Sequence, residues 1–111
     1  RRIVSEAAAA GHAGRIVHRL DGWDAAGVKA VALAITGLAP ATAVLVGRAD
    51  PTTVAVATSI AGHDARSVWA SIQAACGGKG GGTASLVQGA VPADADRICA
   101  EAQRLLDGLP E

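Results

Sequence analysis

Five of the six residues from Gly77 to Gly82 are glycine, and the sixth is Lys79. Glycine loses more backbone freedom on ordering than any other residue, so such a run is disfavoured inside a helix or a strand. A helix-like segment precedes it and a strand-like one follows, which predicts a connection within one folded domain. Backbone without side chains can take positive φ and lets another molecule approach closely. With one mobile cation at Lys79, the run is expected to form a backbone-amide cradle for an anion, phosphate above all. A flexible connector that binds nothing is the competing reading of the same composition.

The rest of the chain must build a core without the usual large side chains. Half of its 111 residues are apolar, yet it has no Phe, Tyr or Met, and its only aromatics are Trp23 and Trp69. Ala, Val, Leu and Ile must fill the interior, which favours helices packed closely on a sheet, and both tryptophans are expected in that core. The length suits one domain. Ten basic residues balance ten acidic ones. Any contact with nucleic acid must therefore be local, built on loop amides and a few cations. The longest apolar stretch, residues 30–35, is far too short to cross a bilayer, so no membrane partner is expected. No secretory signal opens the chain. Cys76 and Cys99 are too few for a disulfide framework and read as free thiols of a cytoplasmic protein. An Arg1-Arg2 start without an initiator Met leads to the expectation of a C-terminal piece of a longer protein.

Periodicity and punctuation give the element order. The Ala-rich segment 3–10 reads as the end of a helical spacer occupying residues 1–14, ahead of a globular domain over 15–111. Residues 15–20 predict a strand, closed by Asp21-Gly22. Asp24 can cap a helix to about Thr36 with Val28, Val31 and Ile35 inward. Residues 41–47 and 52–59 predict two strands paired as a hairpin about Asp50-Pro51. Asp64 caps a helix to about Ala75, its inward stripe being Ala65, Val68, Trp69 and Ile72. After the glycine run come a short strand over 85–91 and a last helix from Asp94, with Ile98, Ala102 and Leu105 inward. The order (α)-β-α-β-β-α-β-α predicts an α/β (α+β layered) fold, one small sheet with helices packed on it.

Most catalytic chemistries fail on spacing. A Walker A loop would need Gly where Gln73 stands and Ser or Thr where Gly80 stands. A dinucleotide fingerprint follows a strand, whereas this run follows a helix. His12, His18, His63 and the two cysteines match no zinc pattern, so no metal is expected. Ser85 and Cys76 flank the run, but no signature supplies a base and no Gly-x-Ser-x-Gly elbow is present, so no catalytic residue is assigned. Asp94 and Asp96 suit a helix N-terminus. Arg15, Arg19, Arg48, Arg66 and Lys79 are scattered in sequence, and only the fold can gather them.

The run Gly77-Gly-Lys-Gly-Gly-Gly82, followed by Gln88-Gly89 and an acid-capped helix, resembles the DHHA1 domain, most of all the version that ends alanyl-tRNA synthetases. Arg19-Leu20-Asp21-Gly22 before a helix and Ala43-Val44-Leu45-Val46-Gly47 before a hairpin fit the same order, so the resemblance covers about residues 15–108. It implies an RNA-binding accessory domain that holds the outer corner of a tRNA, alanine tRNA in that setting, and links aminoacylation with editing. The implied partners are upstream synthetase and editing domains, with a homodimer in some members. The fragment itself would hold no cofactor and catalyse nothing, its parent being an alanine–tRNA ligase of protein biosynthesis or a relative. The nucleic-acid contacts implied are Gly77, Gly78, Lys79, Gly80, Gly81, Gly82 and Thr83, with Arg19 and Arg48 from neighbouring elements. Alternatives are the nucleotide- or oligonucleotide-binding half of a DHH-family phosphoesterase and a dimerisation module. Thr83 departs from the pattern, which has Arg or His there, and the paired-His and Cys-x-x-x-His editing motifs do not occur in this chain.

Overall fold

The computed structural model describes residues 14–47 and 51–109. The Ala-rich segment 3–10 and Arg48 lie outside them. In chain order the described elements are β1 (Arg15–Arg19), α1 (Ala25–Leu38), β2 (Thr42–Val46), β3 (Thr52–Thr58), α2 (Ala65–Cys76), β4 (Lys79–Gly82), β5 (Leu86–Val91) and α3 (Ala95–Asp107). The five strands form one sheet in the order β1-β2-β3-β5-β4. β1 runs parallel to β2 across the α1 crossover, and every other pairing is antiparallel. The mixed α/β architecture and the hairpin of β2 with β3 are those the sequence predicts.

Period-two alternation divides the core between the two faces of the sheet. Val44, Val46, Val54, Val56, Val87 and Val91 pack with Trp69 and Ile72 of α2 and Ile98 and Leu106 of α3. The opposite face carries Ala43, Leu45, Ala55 and Ala57 under Val28, Val31, Ala32 and Ile35 of α1. Three alanines on that face let α1 lie close to the sheet, which is how a core without Phe, Tyr or Met reaches native packing. β2 is buried along its whole length, as expected of a strand covered on both sides.

Each helix starts on an aspartate. The Asp24 carboxylate accepts from the Gly27 amide, Asp64 from Arg66 and Asp94 from Arg97, each at 2.8 Å. These bonds satisfy amide donors that a first helical turn leaves without intrahelical partners. The inward stripe of α2 is the one the sequence predicts. In α3 the buried leucine is Leu106, with Leu105 half-buried, a one-residue shift in phase.

Two expectations are corrected. The glycine run is not a loop, because Lys79–Gly82 is the outermost strand of the sheet, paired with β5. Trp69 is buried at 5% exposure, but Trp23 is 37% exposed and lies outside the core.

Candidate functional site

The strand β4 exists because its glycines are needed for packing. α2 stops at Gly77, where φ of +81° suits glycine, and Gly78 follows at +109°. The Gly77 amide donates to the Gln73 carbonyl at 2.7 Å, and the Gln73 side-chain amide donates to the Gly78 carbonyl at 2.8 Å. Together they turn the chain straight into β4. From Gly78 onward, alternate glycines meet the neighbouring strand at close range. A Cβ at Gly78 would lie 2.4 Å from the Ala90 oxygen, one at Gly80 2.5 Å from the Gln88 oxygen, and one at Gly82 2.1 Å from the Leu86 oxygen. The Trp69 indole fills the space beneath, because a Cβ at Gly80 or Gly89 would approach its ring to 2.8 Å or 2.3 Å. Ladder pairing and this contact offset the entropic cost of ordering glycine, which a reading of local propensity does not weigh.

Gly81 is different. A Cβ there would meet nothing within 4 Å, and its φ lies outside the left-handed region. Packing does not require glycine at this position, whereas close approach by another molecule would. Gly81 pairs with Gln88, and Lys79 with Ala90, on the face that α1 covers farther along the sheet. Past the edge of α1 that face is a shallow shelf of Thr53, Gln88, Ala90, Gly81 and Lys79, all at least partly exposed. Its wall is the start of α1, tied down by the Gln88 side-chain amide, which donates to the Ala25 carbonyl at 3.0 Å.

The outer side of β4 carries backbone polarity. The Thr83 amide donates to the Leu86 carbonyl at 2.8 Å. Alternation along an antiparallel ladder then turns the amides of Lys79 and Gly81 toward β5 and those of Gly80 and Gly82 to the open edge. Thr83 itself closes the turn into β5, its hydroxyl accepting from the amides of Ser85 and Leu86, both at 3.3 Å.

The structure brings Gly77, Gly78, Lys79, Gly80, Gly81, Gly82 and Thr83 together at one edge. Arg19 is not there. It ends β1, the opposite edge strand, four strand spacings or about 19 Å away. Its guanidinium bridges Asp21, at 3.0 Å, and Asp96 of α3. The hydrogen bond to Asp21, followed by the charges of Asp21 and Asp96, raises its pKa further. Cys99 sits half-buried nearby, and desolvation pushes its thiol pKa up. His63 is half-buried with Nδ1 2.6 Å from the Thr42 hydroxyl, itself 2.6 Å from the Thr58 hydroxyl. Among the described residues no group of three His, Cys, Asp or Glu side chains could hold a metal, and no helix is long and apolar enough to cross a membrane. Sequence reasoning missed Trp23 as an exposed residue. Its position in the Gly22-Trp23-Asp24 turn, immediately before a helix cap, was the available signal.

The sequence matches the DHHA1 domain family over residues 12–108, nearly its whole length, and the chain belongs to that family. The fold is similar to the C-Ala domain of alanyl-tRNA synthetase from Aquifex aeolicus, with a TM-score of 0.75 and 18% identity over 86% of this chain and 89% of that one. It is also similar to RecJ from Thermus thermophilus, solved in complex with Mg2+, with a TM-score of 0.74 and 16% identity. That likeness covers 98% of this chain but 17% of RecJ. No curated protein sequence matches the chain.

Proposed function

We propose that this DHHA1 domain is a tRNA-binding accessory domain of an alanyl-tRNA synthetase or a synthetase-like protein, and that it grips the nucleic acid at β4. The observation that carries the reading is Gly81 beside Lys79, a glycine with open space above it on a strand whose other glycines are explained by packing. A ribose-phosphate backbone needs amide donors and cations for phosphate and acceptors for the 2′-hydroxyl. The open edge offers the amides and carbonyls of Gly80 and Gly82, and Lys79 supplies charge. The similarity to a synthetase C-Ala domain over nearly both chains favours tRNA as the nucleic acid. Such a domain would hold the outer corner of alanine tRNA in the cytoplasm and catalyse nothing itself, its parent ligase serving protein biosynthesis.

The likeness to RecJ supports a second reading, an oligonucleotide-binding half of a phosphoesterase. Thr83 weighs against it, because its hydroxyl is committed to the β4–β5 turn. A titration of tRNA at several salt concentrations tests the first reading. Binding should show a shallow log–log slope, and Lys79→Ala should reduce that slope by about one. An unchanged slope and affinity would place the contact away from β4. Preference for a single-stranded oligonucleotide over tRNA would favour the second reading.

A further inference from the structure

Trp23 occupies its place at a cost to the backbone around it. A Cβ at Gly27 would lie 2.8 Å from the ring carbon Cε3 of Trp23, and one at Gly47 would lie 2.6 Å from the Trp23 carbonyl oxygen. Gly27 therefore makes room for the ring, and does so inside α1, where glycine costs roughly 1 kcal/mol relative to alanine, whereas Gly47 admits the Val28 side chain and the Trp23 backbone. Full burial is not the result, since Trp23 remains 37% exposed in a chain with one other aromatic residue. The ring rests against the first turn of α1, the wall of the shelf, and Gln88 holds that turn through the Ala25 carbonyl.

The charges on the shelf are ordered. Asp24 lies at the Trp23 end, its carboxylate engaged with the Gly27 amide at 2.8 Å, and Lys79 lies at the β4 end. An acidic end repels phosphate and leaves a π-face, and a basic end attracts phosphate. From Gly47, beside Trp23, to Lys79 is three strand spacings, or about 14 Å, too far for one nucleotide to satisfy both. We propose that Trp23 is a stacking platform for an unpaired base of the RNA strand whose phosphates lie at Lys79. This inference rests on the nucleic-acid reading of β4 and adds the nature of what is recognised, an unstacked base in a loop or single strand.

The test uses the intact chain with a labelled short single-stranded RNA, a perfectly paired RNA duplex and a tRNA transcript. Trp23→Ala should weaken single-stranded RNA about tenfold or more, and duplex hardly at all. Trp23→Phe should recover most of the affinity, since a smaller ring still stacks. In the wild type, saturating single-stranded RNA should quench tryptophan emission and shield it from acrylamide, and Trp23→Phe should abolish that signal, because Trp69 is buried. Wild-type binding that Trp23→Ala leaves unchanged, or emission unaltered at saturation, would overturn the stacking role and leave the β4 reading standing. Absence of wild-type binding to all three RNAs would overturn both.

Discussion

Alanine at position 80 and alanine at position 81 should have opposite effects on stability. Both positions lie in the same glycine strand, so the intrinsic gain from restricting the unfolded chain is shared, about 0.4–1 kcal/mol. At Gly80 the new methyl would sit 2.5 Å from the Gln88 oxygen, 2.6 Å from the Gly89 Cα and 2.8 Å from the Trp69 ring. Two of those neighbours are backbone and cannot rotate aside. Overpacking costs about 1–3 kcal/mol, so Gly80→Ala should lose about 1–2 kcal/mol net. At Gly81 the methyl meets nothing, and the gain should survive undiminished. In a domain of this size 1 kcal/mol moves Tm by about 4 °C, so Gly80→Ala should fall by about 4–8 °C and Gly81→Ala rise by about 2–4 °C. Urea and thermal unfolding, followed by circular dichroism and by tryptophan emission, measure both. Equal effects from the two substitutions would refute the close packing of β4 on β5 and Trp69. The run would then be the slack connector that its composition suggests. A binding readout adds a second sign, because the same Gly81→Ala that stabilises the fold should weaken RNA binding by occupying the surface the ligand needs.

His63→Ala removes the imidazole from the Thr42 hydroxyl, which also bonds the Thr58 hydroxyl, and should cost about 1 kcal/mol, seen as a lower urea midpoint with an unchanged m-value. A midpoint equal to that of the wild type would mean that the two threonines satisfy each other without it. Desolvation raises the Cys99 thiol pKa, so the folded protein binds more protons than the unfolded chain in the alkaline thiol range. Its contribution to stability is therefore full below the unfolded thiol pKa and is lost as pH rises beyond it. Iodoacetamide should modify Cys99 more slowly in the folded protein than in urea at the same mildly alkaline pH, and equal rates, read by peptide mass, would sink this assignment.

Features set by neighbours in sequence were legible without the fold. The three aspartate caps and the stripe Ala65, Val68, Trp69 and Ile72 follow from local chemistry and helical period, and the structure carries both. Features set by neighbours in space were not. β4 is a strand because Trp69, ten residues upstream of Lys79, lies beneath it and β5 lies beside it, and neither contact is written in the propensity of glycine. Trp23 reads as core by residue type, but its ring lies against Gly27 in the first turn of α1 and stays 37% exposed. The placement of Arg19 depends on strand order. With β1 outermost on one side and β4 on the other, a cation that the motif order groups with the glycine run ends at the far edge, shared between two aspartates.

The departure at Thr83 links packing to function. Where the DHHA1 pattern resembled by this sequence has Arg or His, this chain has a hydroxyl that accepts from the Ser85 and Leu86 amides and stands 3.2 Å from the Ser85 hydroxyl. A short side chain of this kind can mimic a backbone turn, which a guanidinium or an imidazole at the same place cannot do. The exchange puts, in place of a cation at the mouth of the glycine strand, a hydroxyl that closes the β4–β5 connection. On the proposed reading, an anionic backbone at this edge would be held by edge amides, by Lys79 and by stacking at Trp23. A surface built that way favours shape and unpaired bases over long-range attraction, which suits a chain whose formal charge sums to zero.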